Sequence, residues 1–187
     1  MGYRHSKEEI LEGAIDAVFD GGLNRLTFGS LAKRLGISDR IIVYYFPSKD
    51  DLIGEVLAAI GARLQVALAP ALTSQVPDHV AFVQAVWPTL ARPEVDPVFA
   101  VFFEASGLAT AGVEPYRTMA PTLVEGWIAW AEVLIDGTPA FRKTEAAAAI
   151  AALDGLLLMR QLAGPEVADR GAKGIAGSKP RRRDKRR

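Results

Sequence analysis

The chain has 187 residues, half of them hydrophobic, enough to bury a sizeable core in one domain or in a small module plus a larger one. It has no Cys, which excludes disulfides and thiolate metal ligands, and its longest apolar run, Ala146–Met159, is interrupted by Asp154 and falls short of a bilayer span. The zero net charge hides an asymmetry: residues 1–169 hold 13 Lys and Arg against 21 Asp and Glu, whereas residues 170–187 hold 9 against 1.

Ser6 followed by Glu9 reads as a capping box. It predicts a first helix with Ile10, Ala14, Ala17 and Val18 on one face, stopped by Gly21-Gly22. The opening MGYRHS also fits a myristoylation pattern, but Ser6 already has this capping role, and no apolar secretory leader is visible. Thr27 is the expected N-cap of a short second helix carrying Phe28, Leu31 and Leu35, closed by Gly36. A third helix starts at Ser38. A fourth starts at Ser48, after Pro47, and runs from Asp50 to near Leu68, with Leu52, Val56, Ile60 and Leu64 as a buried stripe. Further helices are expected near 78–91, 97–111, 115–135 and 140–163, separated by Pro and Gly breaks. No strand-like alternation stands out, so the fold class is all-α.

The stretch GISDRIIVYYFPSKDDL, Gly36–Leu52, mixes charge and phenols into an apolar run. With Ser38 as N-cap, Asp39 suits the positive end of the helix dipole. Ile37 and Ile42 form a hydrophobic staple, and Ile42 and Phe46, four apart, share the inward face. Asp39, Arg40, Val43 and Tyr44 then point elsewhere. Two short helices joined by a turn of about three residues, the second polar at its exposed start, form a helix-turn-helix. In that motif the second helix enters the DNA major groove by its N-terminal residues. Arg40 can pair bidentately with guanine, and Tyr44 can give its hydroxyl to a phosphate. Thr27 and Ser38 sit at helix starts, where backbone N–H groups accept phosphates. Lys49 opposes the dipole in the first turn of helix four, a cost that a nearby phosphate reverses; Asp50 and Asp51 could compensate it instead. Tyr45 could equally be core.

Thr27–Leu52, TFGSLAKRLGISDRIIVYYFPSKDDL, resembles the DNA-binding signature of the TetR family of bacterial transcription regulators. The resemblance rests on the Thr opening helix two, LAKRLGIS across the turn and YYFPSKDDL leading into helix four. It implies that Thr27, Ser38, Tyr44, Tyr45 and Lys49 touch the DNA backbone and that Asp39 and Arg40 read bases. Ile41 and Val43 depart from the family pattern, so operator sequence does not carry over.

The expected organisation is a helix-turn-helix DNA-binding domain over 1–47, a helical effector-binding and dimerisation domain over 48–164, and a disordered basic tail over 165–187, which either adds phosphate contacts or is simply solvated. Thr144–Leu162 is rich in small residues followed by Leu, which suits close helix approach. Trp130, Ala148, Ala152, Leu153 and Leu157 are therefore the expected dimer face, and the resemblance implies that the last two helices form a four-helix bundle with a partner's pair. The body also carries large aromatics, which at helical spacing can be core. Phe82, Trp87, Phe99, Phe103, Glu104 and Trp127 are the candidates for the apolar effector cavity that the resemblance implies. For Glu104, pairing with Arg117 or exposure to water is the simpler expectation.

The reading is thus a cytoplasmic, homodimeric repressor of a palindromic double-stranded operator, released by a small apolar or amphipathic effector, with no membrane partner. The alternatives are an effector-independent regulator controlled by a protein partner or by abundance, and an all-α enzyme. His5 and His79 are the only histidines, and no nucleophile–base pair, cofactor motif or metal-ligand spacing appears, so no enzyme activity, cofactor or metal is expected.

Overall fold

A computed structural model describes residues 5–177. Its helices are α1 (Lys7–Gly21), α2 (Phe28–Leu35), α3 (Asp39–Tyr45), α4 (Lys49–Leu68), α5 (His79–Leu90), α6 (Asp96–Thr110), α7 (Tyr116–Glu132), α8 (Pro139–Ala163) and α9 (Pro165–Gly177). Short 3₁₀ turns occupy Leu23–Arg25, Ala69–Ala71 and Pro93–Val95. No β-strand occurs among the described residues. The one strand-like feature is an isolated bridge, in which Val76 accepts the Asp136 N–H and donates to the Leu134 carbonyl.

The local causes of the first four helices are visible in their caps. Ser6 and Glu9 exchange hydrogen bonds as a capping box, as do Thr27 with Ser30 and Ser48 with Asp51. Gly36 ends α2 in the left-handed region (φ 65°), which a side chain resists and which the sharp turn into α3 requires.

The chain divides into two compact units: Met1–Ala69 with Glu94–Gly126, and Pro70–Pro93 with Trp127–Arg187. In the first, α1, α2 and α3 close on Ile10, Val18, Leu23, Leu31, Ile42 and Phe46, and the same core continues through Leu52, Ile53, Val56 and Ile60 of α4 to Val101 of α6 and Tyr116 of α7. A domain boundary at 47/48 therefore does not match the compact units. The buried stripe of α4 finishes the core that three short helices cannot close alone. Burial first, then Glu104 and Asp50, pushes the Tyr116 phenol up, so it stays a neutral core group.

In the second unit α5, α8 and α9 pack on one another. Phe82 is fully buried, and its ring meets Trp130 edge-to-face at 5.8 Å. Glu145 of α8 caps α5, accepting the His79 N–H at 2.8 Å and meeting its ring Nδ1 at 2.5 Å. Burial works to raise the Glu145 carboxyl, but the two His79 hydrogen bonds and the His79 charge together hold it below the usual range.

Two expectations are corrected here. Residues 165–177 are not a disordered tail: they form α9, with Ala168 and Ala172 buried and Asp169 accepting the Trp87 indole N–H at 3.0 Å. Small residues let α9 dock closely: a Cβ at Gly171 would stand 2.9 Å from Leu156 Cδ2, so that side chain would have to shift. The rest of the expected tail, residues 178–187, lies outside the described residues. In addition, α8 and the stretch that begins as α4 (Lys49–Ala71) are long and apolar enough to cross a membrane by length and composition. In this fold α4 uses its apolar stripe in the first unit's core, and α8 packs against α5 and α9.

Candidate nucleic-acid interface

The interface candidate is built on α2, the turn through Gly36, α3 and the first turn of α4. The fully buried Ile42 and Phe46 pin α3 to the core, with Ile37 half-buried beside them. This leaves Ser38, Asp39, Arg40, Val43 and Tyr44 exposed, Tyr44 by 65 %. Ser38 caps α3 by accepting the Arg40 N–H at 3.3 Å, and its hydroxyl lies 3.4 Å from Asp39 Oδ1. Thr27 caps α2, its Oγ1 accepting the Ser30 N–H at 3.0 Å. Lys49 is exposed in the first turn of α4, and no carboxylate among the described residues forms an ion pair with it; Asp51 is occupied by Ser48. The exposed face therefore combines unpaired cations, hydroxyls and two helix N-termini, the chemistry that binds phosphates, with Arg40 able to reach a base edge.

Two side chains differ from expectation. Tyr45 turns inward: its ring packs on the core, edge-on to Tyr44 at 4.9 Å, and its hydroxyl donates to the His5 carbonyl at 3.3 Å. Ile41, one of the two departures from the family pattern, is half-buried against the same core. Val43, the other, is 44 % exposed.

Residues 10–56 match the family described as bacterial regulatory proteins, tetR family. Solved structures agree over almost the whole chain. A transcriptional regulator from Rhodococcus sp. Rha1 superposes with a TM-score of 0.71 at 20 % identity, over 92 % of this chain and 95 % of that one. A TetR transcriptional regulator from Legionella pneumophila gives 0.61 at 21 %, over 94 % and 97 %. The multidrug binding protein EbrR, solved with imidazole, gives 0.65 at 25 %, over 96 % and 95 %. No curated protein sequence matches significantly.

Residues 10–56 form a TetR-family DNA-binding domain. The matching family is one of bacterial regulatory proteins. Among the described residues no cluster of His, Asp or Glu could hold a metal ion.

The candidate effector residues fall in both units. In the first, Phe99 is buried, and Phe99 and Phe103 stand with ring centroids 6.4 Å apart. Glu104 is half-buried and does not pair with Arg117. Its Oε2 accepts the Leu23 N–H at 2.8 Å and its Oε1 the Asn24 N–H at 3.2 Å, so it caps the turn between α1 and α2. Arg117 pairs instead with Glu114. In the second unit Trp87 is anchored by Asp169, and Trp127 stands edge-on to Trp130 at 5.4 Å. A cleft of about 560 Å³ opens in the first unit, where Asp50, Asp51, Glu55 and Glu114 surround Pro115 and Met119; none of the candidate effector residues lines it.

The expected dimer face is also corrected. Leu153 and Leu157 are 5 % and 2 % exposed, so they belong to the chain's own core, and Trp130 packs edge-to-face with Phe82. Ala148 and Ala152 are half-exposed. The open apolar face of α8 is instead Ala147, Ala151, Gly155, Leu158 and Leu162, at spacings of four, four, three and four, with Leu162 72 % exposed. Because α8 carries apolar residues on more than one side, spacing alone does not mark which stripe is internal.

Proposed function

We propose that this regulator is a cytoplasmic repressor that binds a palindromic operator as a homodimer and is released by a small apolar or amphipathic effector. The observation that carries the DNA-binding face is the division of α3: Ile42 and Phe46 fully buried, Asp39, Arg40, Val43 and Tyr44 exposed. On this reading α3 enters the major groove with Arg40 and Asp39 at base edges, while Thr27, Ser38, Tyr44 and Lys49 hold phosphates. Tyr45 supports the helix from behind, through its ring and its bond to His5.

The dimer is supported by the bare stripe on α8. Small residues there allow close helix approach, and an exposed apolar surface of this kind is covered in soluble proteins by a partner. Regulators of this family typically form homodimers and bind ligands. EbrR is a multidrug binding protein, which supports an effector for this chain too. The engagement of Glu104 and Trp87 in internal bonds favours a second reading, a regulator without a small-molecule effector.

Selecting bound sequences from random duplexes tests the operator reading. The expected product is an inverted repeat with half-site centres about 34–36 Å apart, or a multiple. A site without two-fold symmetry overturns the dimer. Effector release is tested by titrating ligands that raise the melting temperature against operator binding; unchanged affinity with every such ligand leaves the effector-independent reading.

A further inference from the structure

The first unit carries eight Lys and Arg side chains among its described residues. Four are held by carboxylates: Lys7 by Glu55, Arg34 by Asp20, Arg63 by Glu12 and Arg117 by Glu114. The other four, Arg25, Lys33, Arg40 and Lys49, are exposed and form no ion pair. All four lie within the stretch Arg25–Lys49, whose only acidic residue is Asp39. A body otherwise rich in carboxylates thus leaves its free cations on one motif, which is the electrostatic footprint of a polyanion site.

Arg40 and Lys49 are accounted for by the docking proposed above; Arg25 and Lys33 are not. The Arg25 carbonyl accepts the Ser30 hydroxyl at 3.0 Å, which ties this residue to the first turn of α2, beside the Thr27 cap. Its stem lies against Gly21, with Cδ 3.2 Å from where a Cβ there would stand. The side chain is therefore steadied near its root and exposed at its head. Lys33 lies four residues after Gly29 on the outer face of α2, opposite the buried Leu31 and Ala32. A Cβ at Gly29 would meet nothing within 4 Å, so this face is bare for close approach of a backbone.

We propose that Arg25 and Lys33 are further phosphate contacts, which set α2 and the turn before it along one DNA strand and so fix the angle at which α3 enters the groove. This rests on the reading of α3 as the recognition helix. The test uses the full chain and double-stranded DNA of random sequence, with affinity measured by fluorescence anisotropy between about 50 and 200 mM salt. Each lost phosphate contact lowers the slope of log K against log salt by about 0.9 per bound subunit. Arg25→Gln and Lys33→Gln are each expected to do so, as is Lys49→Gln, while Arg34→Gln, already neutralised by Asp20, keeps the wild-type slope. If Lys49→Gln lowers the slope and Arg25→Gln and Lys33→Gln do not, the proposal fails and the DNA face stands. If Lys49→Gln also leaves it unchanged, the face itself is wrong and this inference falls with it. An equal loss for Arg34→Gln overturns the proposal too, because net charge rather than contact would be setting affinity. Exposed, unpaired side chains contribute little to stability, so melting curves close to wild type are expected for all three Gln variants at unpaired positions.

Discussion

Truncating Glu104 tests whether the turn between α1 and α2 is held from α6. The carboxylate accepts two backbone N–H groups, from the buried Leu23 at 2.8 Å and the exposed Asn24 at 3.2 Å. In Glu104→Ala, water replaces the acceptor at Asn24 with little loss. The Leu23 amide has no such access, and stranding a buried donor costs about 1–3 kcal/mol. The expected destabilisation is therefore about 2 kcal/mol, or roughly 4–8 °C in melting temperature for a chain of this size. Glu104→Gln keeps one acceptor oxygen and should lose about half as much. Gly22 provides an internal control. Its φ of 81° disfavours a side chain, and a Cβ there would lie 2.8 Å from Glu104 Oε2. Gly22→Ala should destabilise on its own, yet cost less in the Glu104→Ala background, where the clash is gone. Thermal unfolding followed by circular dichroism gives all four values. Additive effects of the two substitutions, or a loss under about 0.5 kcal/mol for Glu104→Ala, would refute the reasoning.

Three further outcomes are expected. Burial pushes the Asp154 carboxyl up to about 6, above its unfolded value, so ionisation weakens the fold: the penalty is absent below about pH 4, grows between 4 and 6 and is complete above. A rise of this size is worth about 3 kcal/mol for a fully buried group, and solvent screening of this half-buried carboxyl reduces it, so Asp154→Asn should stabilise by roughly 2 kcal/mol near pH 7.5 and be neutral near pH 4; urea titrations giving equal effects at both would contradict this. Trp87→Phe removes the indole bond to Asp169 and should cost about 1–3 kcal/mol, with α9 amides losing hydrogen-exchange protection first. Leu158→Glu with Leu162→Glu places two charges on the open stripe of α8 and should yield monomers in sedimentation velocity without lowering the melting temperature of the monomeric fold; a dimer that persists locates the interface elsewhere.

The short helices were legible because their ends are written locally. Ser6, Thr27, Ser38 and Ser48 each cap a helix within three residues of the groups they satisfy, and Gly36 marks the sharp turn by its own backbone freedom. Ile42 and Phe46 follow from spacing alone. The misses are all non-local. α9 contains three glycines in 13 residues and no large buried side chain, so its propensity argues against a helix; it forms by docking on α5 and α8. Glu104 is 80 and 81 residues from the amides it serves, and nothing near it in sequence announces them. On α8 the periodicity is satisfied by more than one stripe, and only packing decides that Leu153 and Leu157 face inward while Leu158 and Leu162 do not.

The inward turn of Ile41 changes what the recognition helix can read on the proposed docking. Two apolar residues on a groove-facing surface would dilute its hydrogen-bonding capacity. One, flanked by Asp39 and Arg40 a turn earlier and Tyr44 beside it, leaves that capacity intact. Val43 lies three residues after Arg40, one turn further along α3, so the two side chains address neighbouring base pairs rather than the same one. Arg40 is suited to guanine O6 and N7, and a β-branched apolar side chain to the thymine methyl. A half-site should then place a thymine within a base pair or two of the guanine that Arg40 contacts. Uracil at that position, which removes only the methyl, should weaken binding by the wild type and have no effect on Val43→Ala. A wild type indifferent to that methyl would show that α3 does not present Val43 to the bases.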